Sequence, residues 1–300
     1  MSESISGFLN VNKPAGMTSH DVVARIRRIS RQVHQTKKVG HAGTLDPFAT
    51  GVLVLCVGAA TRLSEYVMNS TKQYRATIHL GISTDTYDVD GTITSQVDSS
   101  ILTEHNIEQI LPQFRGALQQ KPPMYSAIKK DGKKLYELAR AGQTIELETR
   151  PVTIYSLEVV AWDLPYITID VECSPGTYIR SLAYDIGEML GVGGHLSMLE
   201  RRRSGTLAIE ESISLDTLIN SDNLTQYMRS PGDVLSAWRS IELTDEQSYE
   251  IQHGRFIPND QNLMDDVVMA FTTQGEFLAV LHNRGDFWKP HKVFPVSESS

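Results

Sequence analysis

Along residues 7–11 apolar and polar positions alternate, the period of a half-buried strand, and Lys13-Pro14-Ala15-Gly16 ends the run with a turn. Thr18-Ser19-His20-Asp21 follows, a capping hydroxyl with an acid three positions on, which predicts a helix start. Val22, Val23, Ile26, Ile29 and Val33 share one face of that helix, and Arg27, Arg28 and Arg31 the other, which reads as a solvated face. Residues 52–57 form an unbroken apolar run with β-branched members, the pattern of a strand buried on both sides. A short helix is expected over 61–68. Residues 72–81 then alternate as a strand, with Tyr74, Ala76, Ile78 and Leu80 toward the core. The pattern over 102–118 is helical, 152–160 and 167–173 read as strands, and Ile179, Leu182, Ala183 and Ile186 predict a helix ending near Gly187. Ser230-Pro231-Gly232-Asp233 marks a loop, and alternating runs at 267–271 and 277–281 predict a small β-rich module beyond it.

Composition narrows the class. Three hundred residues, 40% hydrophobic and 21% charged, suit one large globular domain or two ordinary ones. No apolar stretch approaches the ~20 residues of a membrane-spanning helix, and the amino terminus lacks the basic start and apolar segment of a secretory signal. A cytoplasmic protein is expected. Cys56 and Cys173 fall in strand-like runs with no Cys or His at metal-ligand spacing, so both read as buried, reduced thiols. A net charge of -8 argues against simple polyanion binding. The charge is regional, however: residues 1–40 hold seven basic and two acidic residues, and residues 240–300 four basic and ten acidic.

The chemistry concentrates at residues 40–62. Asp46 is the single carboxylate there, preceded by Gly40 and Gly43 and followed by Pro47, which places it on a stiff, irregular loop ahead of the buried strand. Taken alone, an Asp before Pro is most often a turn former. The acidic stretch 84–91 fails the calcium-loop template, because Thr86 stands at the first Asp position and Val97 at the bidentate Glu position. It reads as a hairpin connection with Asp90-Gly91 as its turn. Residues 121–136 carry five lysines and two tyrosines between breakers, either a grip for single-stranded RNA or a solvated connection. There is no dinucleotide fingerprint, P-loop, Gly-x-Ser-x-Gly or His-Glu-x-x-His, so neither a cofactor nor a metal is expected.

The run Gly-His-Ala-Gly-Thr-Leu-Asp-Pro-Phe-Ala-Thr-Gly-Val-Leu at 40–53 resembles the catalytic motif of the TruB family of tRNA pseudouridine synthases. Lys-Pro-Ala-Gly-Met-Thr-Ser at 13–19, the Lys72-Gln73-Tyr74 strand, the Thr84-Asp85-Thr86-Tyr87-Asp88 block, Pro122-Pro123-Met124-Tyr125-Ser126-Ala127 and Gly176-Thr177-Tyr178-Ile179-Arg180 extend the likeness over most of the chain. The resemblance implies an α+β fold, with a mixed, largely antiparallel sheet in a catalytic domain at 1–239 and a PUA-like β-rich module at 240–300. It implies that Asp46 is the catalytic residue, that Arg180 pairs with it, that Tyr74 stacks on the target base and that Leu199 lines the base pocket. It further implies RNA contacts from His41, Tyr178, Lys129, Lys130, Lys133 and Lys134. The implied substrate is uridine 55 in the T-loop of tRNA, bound through the T-arm by a monomer and flipped out of its stack.

An unperturbed Asp titrates near ~3.9, and an adjacent Arg180 is expected to lower Asp46 further. The ionised carboxylate could attack C1′ or C6, or take the C2′ proton to give a glycal. Other readings are an RNA-binding or folding protein without catalysis, and a sister synthase acting on another RNA. A glycoside hydrolase would need a second carboxylate, for which Asp85, Asp88 and Asp90 are available, although no spacing aims them at Asp46.

Overall fold

The computed structural model describes residues 5–125, 129–130, 133–134 and 147–294. β1 (Gly7–Lys13) leads into α1 (Ser19–His34) through a complete capping box, in which Thr18 accepts from the Asp21 amide and Asp21 from the Thr18 amide. β2 (Val39–His41) and β3 (Thr50–Val57) flank the Asp46 loop. A 3-10 turn, Gly58–Leu63, opens α2 (Ser64–Met68), so only the second half of the helix expected at 61–68 is α-helical. β4 (Lys72–Leu80) follows, then a hairpin of β5 (Ile82–Thr84) and β6 (Ile93–Gln96).

The helix expected over 102–118 is shorter. α3 (Glu104–Ile110) runs into a 3-10 turn, Leu111–Phe114, where Pro112 cannot continue the α-helical ladder. Gly116, at φ +85°, then starts β7 (Gly116–Gln120), which pairs with a later strand. β8 (Lys129–Lys130) and β9 (Lys133–Lys134) form a short antiparallel ladder. β10 (Arg150–Asp163) and β11 (Tyr166–Cys173) come next, then α4 (Ile179–Met189), β12 (Gly194–Ser204), β13 (Leu207–Ala208), β14 (Ile213–Ser214) and α5 (Leu215–Ile219).

These strands build one mixed sheet in the order β14-β1-β3-β12-β4-β11-β10-β7, with β2 on β3 and β13 on β12. Its pairings are antiparallel apart from β1 with β14 and β12 with β3. The parallel contact matters for the site, because it brings Glu200 and Arg201 beside Thr50 and Gly51 at the end of the Asp46 loop.

Successive side chains of a strand point to opposite faces, and β3 uses both. Leu53, Leu55 and Val57 join α1, α4 and β4 in the larger core. Val52, Val54 and Cys56 join Phe8, Leu63 and Val67 in a second core on the other face. That second core includes Met269, Val280 and Phe294, all from the carboxy-terminal module.

The module is a five-stranded sheet ordered β15-β17-β18-β19-β16, from β15 (Ser240–Glu242), β16 (Ile257–Pro258), β17 (Val267–Phe271), β18 (Phe277–Asn283) and β19 (Phe287–Val293). A helix, Asp245–Gln252, packs on it. The loop expected at 230–233 is instead a capped turn of helix, Pro231–Val234, because Ser230 and Asp233 form another capping box and proline suits the first helical position. Val234 and Leu235 enter the shared core, so this segment is packed and not a free linker.

Candidate active site

Asp46 lies on the loop between β2 and β3, and four side chains from separate parts of the chain hold that loop. Lys13, fully buried, donates from Nζ to the carbonyls of Pro47 (3.1 Å), Ala49 (2.7 Å) and Pro14 (2.9 Å). Ser19 Oγ donates to the Leu45 carbonyl at 3.1 Å and accepts from the Leu45 amide at 2.8 Å. Arg201, 1% exposed, donates to the carbonyls of Val52 (2.7 Å), Gly43 (3.0 Å) and Thr44 (3.4 Å). Arg180 takes the Asp46 carboxylate itself. Buried carbonyls in an irregular loop need donors, and lysine and arginine supply several from one position.

Arg180 sits in the first turn of α4 and is 5% exposed. Its Nε meets Asp46 Oδ2 at 3.0 Å and its Nη2 meets Asp46 Oδ1 at 3.1 Å, a bidentate pair. Nη1 donates to Asp88 Oδ2 at 3.1 Å and to the Thr86 carbonyl at 3.2 Å, and Nη2 to the Tyr125 carbonyl at 2.9 Å. Asp88, 4% exposed, also accepts from Thr86 Oγ1 (2.6 Å) and the Asp90 amide (3.1 Å). Asp46 keeps 29% of its side-chain surface open, so the carboxylate remains reachable while its guanidinium partner does not.

Burial pushes the Asp46 carboxyl above its ordinary value, and the opposing pull of Arg180 and then Lys13 does not overcome it. Arg180 does act downward on Asp46 as expected, but burial outweighs it and the net direction is upward. Asp88 is raised as well, chiefly by burial, with Thr86 and Arg180 opposing and Asp46 adding to the rise. Burial brings Lys13 down to about 8, with Asp46 opposing. Lys72, buried and donating to the carbonyls of Val67, Met68 and Ser70, is brought down to about 7 by the same cause.

Tyr74 lies on β4, and on the neighbouring β12 its register partner is Arg201, while Leu199 stands opposite Ala76. Leu199 is 5% exposed and Tyr74 packs at the margin of the same core. Arg201 also faces the Tyr74 hydroxyl, whose ionisation burial disfavours. Strand β12 carries a register shift against β4 between Leu196 and Met198, which lets Leu196 turn inward together with Leu199 and Arg201 despite the odd spacing. The Arg-rich run at 201–203 thus splits: Arg201 is buried, Arg202 pairs with Glu200 and Glu210, and Arg203 with Glu172.

His41 ends β2, its Nδ1 buried and without a partner, and its ring is driven toward the neutral form by burial and by Arg201. Tyr178 caps α4 in a reciprocal backbone exchange with Gln120, whose Oε1 accepts from the Tyr178 amide (2.8 Å) and whose Nε2 donates to its carbonyl (3.0 Å). Ser181 Oγ donates to the Lys121 carbonyl at 2.8 Å. The root of the basic segment is thereby tied to the helix that carries Arg180. The side chains of Lys129, Lys130, Lys133 and Lys134, and residues 126–128, 131–132 and 135–146, lie outside the described residues. No group of three or more His, Cys, Asp or Glu suited to a metal occurs among the described residues. No described helix is long and apolar enough to cross a membrane.

Three residues of the site escaped the sequence reading. Asp88 belongs to a block that reads as a hairpin connection, and its own spacing gives no sign that it shares Arg180 with Asp46. Lys13 sits in a segment that reads as a turn and Arg201 in the Arg-rich run at 201–203, and their burial is a tertiary property. For Lys13 the resemblance at 13–19 was the available pointer.

The sheet order and its two-face packing define a pseudouridine synthase fold. A solved Cbf5-Nop10-Gar1 complex contains a chain that superposes with a TM-score of 0.74 at 27% identity, covering 96% of this chain and 85% of that one. This chain belongs to the TruB family: residues 31–179 match the model of the TruB family pseudouridylate synthase amino-terminal domain, and residues 180–230 that of the tRNA pseudouridylate synthase B carboxy-terminal domain. Among its relatives are proteins called tRNA pseudouridine synthase B from Clostridium tetani, 44% identical over 88% of this chain and 89% of the relative, and from Caldanaerobacter subterraneus subsp. tengcongensis, 42% identical over 97% and 100%.

Proposed function

We propose that this chain isomerises uridine 55 in the T-loop of tRNA to pseudouridine, with Asp46 as the catalytic carboxylate acting on a flipped-out nucleotide. Membership of the TruB family makes the protein a pseudouridine synthase, an isomerase acting on tRNA. The observation that carries the finer reading is the Asp46–Arg180 pair, in which a loop held by Lys13, Ser19 and Arg201 presents one partly open carboxylate against a buried guanidinium.

The reaction breaks the C1′–N1 bond, turns the uracil, and joins C5 to C1′, the C5 proton being lost and N1 gaining one. It needs no redox change and no added atoms, which a single carboxylate can serve by attack at C1′ or C6 or by removal of the C2′ proton. Arg180 orients the carboxylate and balances its charge as it passes between free and engaged states. Tyr74 stacks on the detached uracil, and Leu199 closes the apolar side of the base pocket. Unstacking the base costs on the order of a few kcal/mol, drawn from contacts to the T-arm by His41, Tyr178 and the lysines at 129–134. Residues 1–239 carry the reaction, residues 240–300 form the appended module, and the protein works as a monomer.

Modification mapping of tRNA incubated with the purified protein tests this reading. Pseudouridine at position 55 of the unaltered protein's product, and none with Asp46→Asn, is the expected result. Pseudouridine at other positions only would replace the T-loop assignment.

A further inference from the structure

Tyr87 has a left-handed backbone, φ +64°, which among the described non-glycine residues it shares only with Gln35 and Asn262. Gln35 ends a helix and asparagine tolerates this region, but for a bulky aromatic residue it is a true outlier that persists only when its surroundings hold it. The surroundings are specific. The Tyr87 ring stacks on Tyr184, with centroids 4.1 Å apart and planes 20° from parallel. Tyr184 follows Arg180 on α4 at the spacing that puts both on one helix face.

That face grips three consecutive residues. Arg180 Nη1 takes the Thr86 carbonyl and the Asp88 carboxylate, and Tyr184 takes the ring between them. From the other side, the Leu196 amide donates to the Tyr87 carbonyl at 3.0 Å. If Tyr87 relaxed to an ordinary φ, the next residue's side chain would swing, and the next residue is Asp88. A guanidinium is a rigid plane, so losing Asp88 leaves Nη1 to the Thr86 carbonyl alone and holds the plane less firmly against Asp46.

We infer that the Tyr87–Tyr184 stack is a positioning device for the reaction centre: it holds Asp88 on Arg180 and so fixes the orientation in which Arg180 meets Asp46. This rests on the reading of Asp46 as the catalytic carboxylate. The contact is made by the rings, not by the phenol hydroxyls, so phenylalanine should replace either tyrosine.

The test uses the full-length protein and a tRNA transcript, measuring the single-turnover rate, tRNA affinity and Tm. Tyr184→Leu, which keeps apolar bulk but not the ring, is expected to slow the single-turnover rate about tenfold with affinity within about twofold, while Tyr184→Phe keeps the rate. Adding Asp88→Asn to Tyr184→Leu should cost little more, because both act on one contact. Should Tyr184→Leu fold poorly, Tyr87→Leu removes the ring from the other side of the stack and is expected to show the same loss of rate, while Tyr87→Gly, which takes the left-handed φ without strain, is expected to lose less. A lowered Tm with an unchanged rate per folded molecule, equal losses for Leu and Phe, or fully additive losses with Asp88→Asn would each overturn the inference. Asp46→Asn runs alongside: turnover retained by that variant would remove the reading of the reaction centre, whatever Tyr184 shows.

Discussion

Asp46 and Asp88 are held on the same guanidinium, Asp46 by Nε and Nη2 of Arg180 at 3.0 and 3.1 Å and Asp88 by Nη1 at 3.1 Å. One buried cation between two carboxylates leaves the cluster one negative charge in excess. Asp46 is the partner with surface to spare, so that charge stands where a nucleotide can reach it.

Asp46→Asn is expected to abolish pseudouridine formation and leave tRNA affinity within about threefold, since the amide is nearly isosteric but lacks the charge. The same change should raise thermal stability above the pH at which the folded carboxyl ionises. The sign follows from linkage: a carboxyl whose folded value lies above its unfolded one favours folding while protonated, and loses that contribution as pH rises through the folded value. Above that folded value the ionised group costs stability that a neutral amide does not. A melting curve below that of the unaltered protein would mean the Arg180 pair outweighs burial.

Asp88→Asn should move the acid limb of the single-turnover pH profile to lower pH. Asp46 raises Asp88 through its like charge, and because repulsion between two charges is mutual, removing the Asp88 charge lets Asp46 ionise more easily. A shift to higher pH would show that losing its hold on Arg180 outweighs losing its charge.

Arg180→Met should slow the chemical step more than it weakens binding. It leaves two acidic groups without their cation, and breaking such a buried pair costs roughly 3 to 5 kcal/mol unless the carboxyls protonate instead. Normal single-turnover chemistry with a loss of affinity alone would make Arg180 a phosphate contact.

Replacing Lys129, Lys130, Lys133 and Lys134 together by Gln should weaken tRNA binding and flatten its salt dependence. Each lost phosphate contact lowers the log–log slope by up to about 0.9, an upper guide because that value belongs to duplex DNA. A slope equal to that of the unaltered protein would mark the segment as a solvated connection.

A chain ending before Ser240 should fold poorly. Truncation removes Met269, Val280 and Phe294 from the core they share with Phe8, Val52 and Val54, and losing buried side chains of this size typically costs about 2 to 5 kcal/mol each. Thermal unfolding and light scattering of the two proteins check it. A truncated chain that melts with the intact one would mean that the outer face of β1 and β3 needs no cover.

Much of this was legible in order along the chain. The capping box at Thr18, the two-sided apolar run at 52–57, the core face of β4 and the helix carrying Arg180 all follow from local chemistry and periodicity. The motif around Asp46 is likewise what makes it the proposed catalytic residue. The helix expected across 102–118 failed at Pro112 and Gly116 because strand pairing with β10 claimed the residues beyond. What the tertiary structure alone decided is which charges are buried together. A periodic pattern reports whether a side chain faces in or out of its own element, but not what it meets there. Lys13, Arg180 and Arg201 each carry a charge that sequence rules assign to the surface; Lys13 and Arg201 are buried where an irregular loop needs more donors than its own backbone supplies, and Arg180 where two carboxylates meet it. Asp88 joins them only because the turn at Tyr87 and the first turn of α4 meet in space.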